Sequence, residues 1–175
     1  MTAASPPTEP SPADPAPATG GGFRATVVTD LHDDTVWRRW SALADDGIAT
    51  VFQSAALVRP LLTVLARSFG ARPLVVEVTD ADTRPVLSLA LVAHTTPTGR
   101  RLEFPDFGLI DHNAPIWRRD LDLSGGGAEA LRRAILAALP AHDALLLAKM
   151  PPTIEGHPTP LAAWPGVAPM SVVTM

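Results

Sequence analysis

Between Leu123 and Ala128 the chain reads Leu-Ser-Gly-Gly-Gly-Ala, directly ahead of a segment whose apolar residues fall at helical spacing. Amides at a helix start are free and carry the positive end of the helix dipole, so Ser124, Gly125, Gly126, Gly127 and Ala128 can seat an anion. The same residues also make an ordinary flexible lead-in with Ser124 near a cap, and a glycine run alone is a weak signal. Side chains able to exchange a proton lie upstream: Glu103 on a short strand, and Asp111 and His112 in the irregular stretch after it. The plainer reading of Glu103 is a solvated carboxylate beside Arg101. His32-Asp33-Asp34, and Asp106 with Asp111-His112-Asn113, contain metal-ligating types without the repeated spacing of a metal site, so no metal is expected. Asp33 and Asp34 fit the capping turn of a helix better. Ser54 after Gln53 lacks the flanking glycines of a nucleophile elbow and reads as a cap.

The elements that must position these groups follow from periodicity. Phe23 to Thr29 reads as an edge-like strand. Val36, Trp40, Leu43 and Ala44 form one stripe of a helix ending near Gly47, with Trp40 as its core anchor. Trp37 falls about 60° off that stripe, which fits either a boundary position or a side chain covering another element. A second helix runs from Ser54 to Phe69 with Leu57, Leu61, Val64 and Leu65 in register, and Pro60 inside it predicts a kink or a later start. Leu74 to Thr79, Val86 to His94 and Arg100 to Phe104 read as successive strands. The middle one is apolar on both faces and is therefore central. Pro105 to Gly127 is a long crossing without a clear period, a length that is uncommon and often functional. Leu131, Ala134, Ile135, Ala138 and Leu139 then give an amphipathic helix, and Asp143 to Lys149 reads as a buried strand. A short helix around Leu161 to Trp164 and a strand-like end, Ser171 to Met175, complete the chain.

Bulk composition sets outer bounds. Residues 1–22 hold six of the 19 prolines and no large apolar side chain but Met1, and read as a disordered Pro/Ala-rich tail ahead of one domain over residues 23–175. That tail has no Lys or Arg and so no secretory leader pattern. With Glu9 and Asp14 set aside, 16 acidic residues face 14 basic ones. A body so near neutrality argues against a nucleic-acid grip, and the arginine pairs Arg100-Arg101 and Arg132-Arg133 read as solvated surface. The chain has no cysteine, which excludes thiol nucleophiles and disulfide scaffolds, and no stretch long enough to span a membrane. The expectation is a cytoplasmic protein.

Strand, helix, helix, three antiparallel strands, helix, strand is the element order of the Gcn5-related N-acetyltransferase fold, and the chain resembles that family over roughly residues 23–155. Trp40-Ser41-Ala42-Leu43, Thr50-Val51-Phe52-Gln53-Ser54, Phe69-Gly70-Ala71-Arg72-Pro73-Leu74-Val75 and Gly99-Arg100-Arg101-Leu102-Glu103-Phe104 are similar to the amino-terminal half of CelD-like acetyltransferases. The resemblance implies an α/β (α+β) domain with a mixed, mainly antiparallel sheet flanked by helices, and a link to cellulose or other exopolysaccharide biosynthesis. It implies acetyl-CoA as co-substrate, its pyrophosphate on the amides of Gly125 to Ala128. Transfer would go to an amine or sugar-derived acceptor, with Glu103, Asp111 or His112 as base. Two departures from the family pattern stand out: Leu123 occupies the place of an Arg or Gln, and the chain has no tyrosine to protonate the leaving thiolate. Members of this family resemble tandems of two such domains, so two readings stand. One is an active N-acyltransferase. The other is a donor-poor, noncatalytic interaction or scaffold half of a longer tandem, needing a second acyltransferase-type domain, a partner subunit or self-association.

Overall fold

A computed structural model of the chain describes residues 18–20, 22–162 and 164. It is an α+β fold built on a mainly antiparallel sheet with helices on both faces. The leading strands are β1 (Ala18–Gly20) and β2 (Phe23–Val28), followed by α1 (Asp34–Asp46) and the two-residue strand β3 (Gly47–Ile48). Next come α2 (Ala55–Pro60), a wide turn over Leu61–Leu65 and α3 (Ala66–Ser68). Three strands follow, β4 (Arg72–Thr79), β5 (Pro85–Thr96) and β6 (Gly99–Glu103), and then β7 (Ile116–Arg118). After α4 (Gly127–Ala138) come β8 (Ala144–Leu146) and a small hairpin, β9 (Thr153–Ile154) with β10 (His157–Pro158).

The main sheet runs β1-β2-β4-β5-β6-β8, with β7 bridging β5 and β3. All described pairings are antiparallel except β6 with β8, which is parallel. A parallel pair needs a crossover, and α4 supplies it. Strand β5 is central as its apolar faces require: β4 lies on one side, β6 and β7 share the other. Alternation then divides the core. Leu74, Val76, Leu89, Leu91 and Leu102 pack with Leu131, Ala134 and Ile135 of α4, whereas Val75, Ala90 and Val92 pack with Trp40 of α1 and Leu62 and Ala66 of the second helical segment. The stripe on α4 is buried throughout, Leu139 included.

Several elements depart from the sequence expectation, each for a physical reason. Pro60 does interrupt the second helix, but the result is a turn in which the Ala66 N–H donates to the Leu61 carbonyl, five residues back. The added residue slips the register, so Val58, Leu61, Leu62 and Ala66 are buried while Val64 is 60% exposed. Of the two placements open to Trp37, the structure takes the buried one, its indole N–H donating to the Leu31 carbonyl at 2.9 Å. Residues 105–127 are not wholly irregular: Leu87 and Ser88 of β5 pair with Trp117 and Ile116. Ala18–Gly20, placed in the tail by composition, pairs with Phe23 to Ala25, while residues 1–17 lie outside the described residues. Leu161 and Trp164 are buried, but around them the chain makes turns instead of the expected helix. Ser171 to Met175 lies outside the described residues. Lastly, of Asp143 to Lys149, expected as a buried strand, only Ala144–Leu146 is a strand, the last of the sheet among the described residues, and every residue of the segment is partly or fully exposed.

Candidate functional site

The turn before α4 is built by two glycines in the left-handed region, Gly125 (φ 54°) and Gly126 (φ 91°), which an L side chain would strain. That conformation closes the turn on itself. The Gly127 N–H donates to the Ser124 carbonyl at 2.8 Å and the Ala128 N–H to the Leu123 carbonyl at 3.2 Å. The Ser124 N–H donates to the Asp122 carboxylate at 2.8 Å. That bond holds the Asp122 carboxyl below the usual carboxylate range. Thus three of the five amides in the expected anion seat are already bonded, and a carboxylate is the anion found there. The nearest cation on the helix is also engaged: Arg132 grips Glu129 through two bonds of 2.7 and 2.8 Å.

Glu103 ends β6 with its side chain 20% exposed. Its register opposite Val92 puts it on the α1–α2 face of the sheet, since Val92 packs there and its neighbour Leu102 packs with α4. The glycine turn opens α4, on the other face. One carboxylate oxygen lies 3.0 Å from His94 Nε2 and the other 2.8 Å from Arg101 Nε. Both nitrogens are buried and neither has an aligned hydrogen-bond acceptor, so these two contacts have poor direction, while Arg101 Nη2 donates to the Glu103 carboxylate at 3.3 Å. His94 was not among the sequence candidates, yet strand alternation brings it out: it pairs with Arg101, and Arg101 and Glu103 are two apart on one face.

Asp111 and His112 are exposed, and the crossing presents them without an ionic partner among the described residues. The ring of His112 stands edge-on to Phe52, centroids 6.0 Å apart, and its carbonyl accepts from Gln53 Nε2 at 2.9 Å. Gln53 is 4% exposed and its Oε1 also accepts from the Thr50 hydroxyl at 2.7 Å, so this side chain pins the crossing to the first half of the chain. Asn113 finishes the job on the other side, with its backbone N–H on the Lys149 carbonyl (3.1 Å) and its side-chain amide on the Ala148 carbonyl (3.2 Å). Lys149 bonds Asp106 at 2.9 Å and the Ile110 carbonyl at 2.8 Å. Asp106, Asn113 and Lys149 thus tie the crossing to the segment that follows β8.

The recess between Trp40, Gln53, Ala90, Phe104, Ile110 and Asn113 holds about 10 Å³, room for one water and no substrate. A wider depression of about 710 Å³ lies open over α1 and α2, lined by Trp37, Ser41 and the Asp34–Arg59 ion pair (2.7 Å) among others. No candidate residue lines it. Asp33 and Ser54 resolve as structural positions: Asp33 accepts the Thr35 N–H at 2.8 Å, and Ser54 precedes α2 without a side-chain cap bond. The role of Gln53 has no signal in the sequence, and only its burial reveals it. No helix among the described residues is long and apolar enough to cross a membrane. Comparison with protein-family models, curated proteins and solved structures returned no match.

Proposed function

We propose that this chain is an acyltransferase-type domain of the donor-poor kind, a noncatalytic half that acts by pairing with another domain or subunit. The observation that carries this reading is the self-closure of the turn before α4. An acyl-CoA pyrophosphate would have to displace the Ser124 and Leu123 carbonyls from the Gly127 and Ala128 amides and sit beside the Asp122 carboxylate. Both costs oppose binding, one by breaking bonds already made and the other by like-charge repulsion. The placement of Glu103 on the opposite sheet face lends further support, since base and donor seat do not share a face. Its carboxylate oxygens are also occupied at close range by His94 and Arg101, at 3.0 and 2.8 Å.

The family part of the reading rests on the resemblance and on the order of elements around the sheet. The association with exopolysaccharide biosynthesis, and an amine or sugar-derived acceptor handled by the complete assembly, come with it. Titrating the purified chain with acetyl-CoA to millimolar concentration by calorimetry tests the proposal. We expect no saturable heat and no rise in melting temperature. A saturable isotherm, with amide resonances of Gly125 to Ala128 shifting in step, would overturn it and restore direct acetyl transfer with acetyl-CoA as co-substrate.

A further inference from the structure

Of the 14 Lys and Arg residues in the chain, Lys149 is the single lysine. Its ammonium lies 3.2 and 2.9 Å from the two carboxylate oxygens of Asp106 and donates to the Ile110 carbonyl at 2.8 Å. Asp106 in turn accepts the Ile110 N–H at 3.1 Å, so one ion pair holds both backbone groups of Ile110. From Asp106 to His112 only Ile110 is buried, at 2% exposure, while Leu109 beside it is 62% exposed. The segment is therefore an exposed strap hung on one inward side chain. That side chain and Phe104 close the recess whose other wall is Trp40, Val58, Leu61 and Ala90.

The seated strap is strained at both partners of its tie. Lys149 (φ 57°) and Phe107 (φ 46°), which follows Asp106, are two of the four non-glycine residues with positive φ among the described residues. A bulky side chain is disfavoured there, and burial does not offset it: the Phe107 ring stacks at 4.9 Å on Phe69, itself 58% exposed. Such strain persists only where the surroundings over-determine it, and the Lys149 ammonium is the tie that does so. The ends of the strap are fixed by other bonds. Pro105 and Asn113 are buried, Asn113 donates to the Lys149 and Ala148 carbonyls, and the His112 carbonyl accepts from Gln53. None of these uses the ammonium, so its charge can be removed with both hinges in place.

We propose that residues 106–112 are a gate and Lys149 its latch. The ammonium seats Ile110 in the recess. Neutralising that one charge lets the turn relax, withdraws Ile110 and opens the recess to a small aliphatic group of the size of the side chain withdrawn. The gate uses no residue of the glycine turn before α4, so it stands whichever way the acetyl-CoA titration falls.

Lys149→Met keeps an apolar stem and removes the charge. In native-state hydrogen exchange the Leu109 and Ile110 amides, bonded to the Asp106 carbonyl and carboxylate, should accelerate about tenfold, the worth of one charge-assisted hydrogen bond. The Asn113 amide and the Leu131 amide of α4 should keep the rates of the unmodified chain. Unchanged rates at Leu109 and Ile110, or equal acceleration at all four positions, overturn the latch. Under xenon pressure the Trp40 indole resonance should shift saturably in Lys149→Met and stay fixed in the unmodified chain. A variant whose indole ignores xenon overturns the site. Because Lys149 is the only lysine, N-hydroxysuccinimidyl acetate places an acetyl group on Nζ and on the amino terminus alone. The acetylated chain should reproduce the exchange pattern of Lys149→Met, with acetylated Lys149→Met as the control for the amino terminus. An acetylated chain that keeps its Leu109 and Ile110 protection overturns the proposal as well.

Discussion

Asp33, Asp122 and Asp143 each accept a backbone N–H, from Thr35, Ser124 and Arg100, at 2.8, 2.8 and 2.7 Å. Those bonds are the leading reason that all three carboxyls titrate below their ordinary value. A carboxyl with a depressed folded value contributes stability above its unfolded value of about 4. That contribution disappears as the pH falls through the lower folded value. The melting temperature should therefore hold between pH 7 and 5 and drop below pH 4, and Asp143→Asn should flatten that acid limb while lowering the plateau. An acid limb as steep in the variant as in the parent would show that the Arg100 contact is not linked to protonation. Gln53 carries a different kind of weight. Truncation to Ala would strip partners from the Thr50 hydroxyl and the His112 carbonyl, and should cost about 1–3 kcal/mol in urea denaturation. A cost under about 0.5 kcal/mol would mean that water replaces it. The capping aspartate was legible from its place before an apolar stripe. Gln53 was not, because only tertiary burial turns an amide into a tie.

At the scale of elements, the legible parts were those whose apolar period is unbroken: α1, α4 and β5 all lie where spacing puts them. Reading failed where one residue is added or one neighbour is missing. The wide turn after Pro60 is the first case, since a uniform helical period carried past it selects Val64 and Leu65 in place of Leu62 and Ala66. Two forces meet there: Pro60 lacks the N–H a regular turn uses, and the core wants Leu61, Leu62 and Ala66 inward. Pro60→Ala separates them. If burial sets the turn, the exposed Pro60→Ala change should alter stability by less than about 1 kcal/mol, while Leu62→Ala should cost about 2–5 kcal/mol. A Pro60→Ala variant whose Val64 becomes protected from solvent would assign the turn to the proline instead. Gly47 shows a contact that spacing cannot reveal. A methyl built there collides with the carbonyls of Leu43 and Trp117, so the glycine that ends α1 also lets β3 close on β7. Strand β8 is the second kind of failure: three leucines read as buried, and only the sheet order shows that among the described residues the strand has a neighbour on one side alone.

For the molecule as a whole, the two core clusters are built from alternate residues of the same strands. Val75 and Val76, and likewise Ala90 and Leu91, send neighbouring side chains to opposite faces. Neither face can therefore lose its packing without loosening the strands that support the other. Leu131 is fully buried on the α4 side, and Leu131→Ala should cost about 2–5 kcal/mol through lost contacts and the cavity left behind. The indole N–H groups of Trp37 and Trp40 report from the far face, where they donate to the Leu31 and Gln53 carbonyls at 2.9 and 2.7 Å. In urea these two indole resonances should vanish at the same midpoint as the far-UV dichroism, and Leu131→Ala should lower both midpoints equally, as one cooperative unit requires. If the indole signals instead outlasted the dichroism in the variant, α1 and α2 would hold their face of the sheet independently. The sheet would then be a partition between two separately melting layers and not the shared spine that its alternating residues describe.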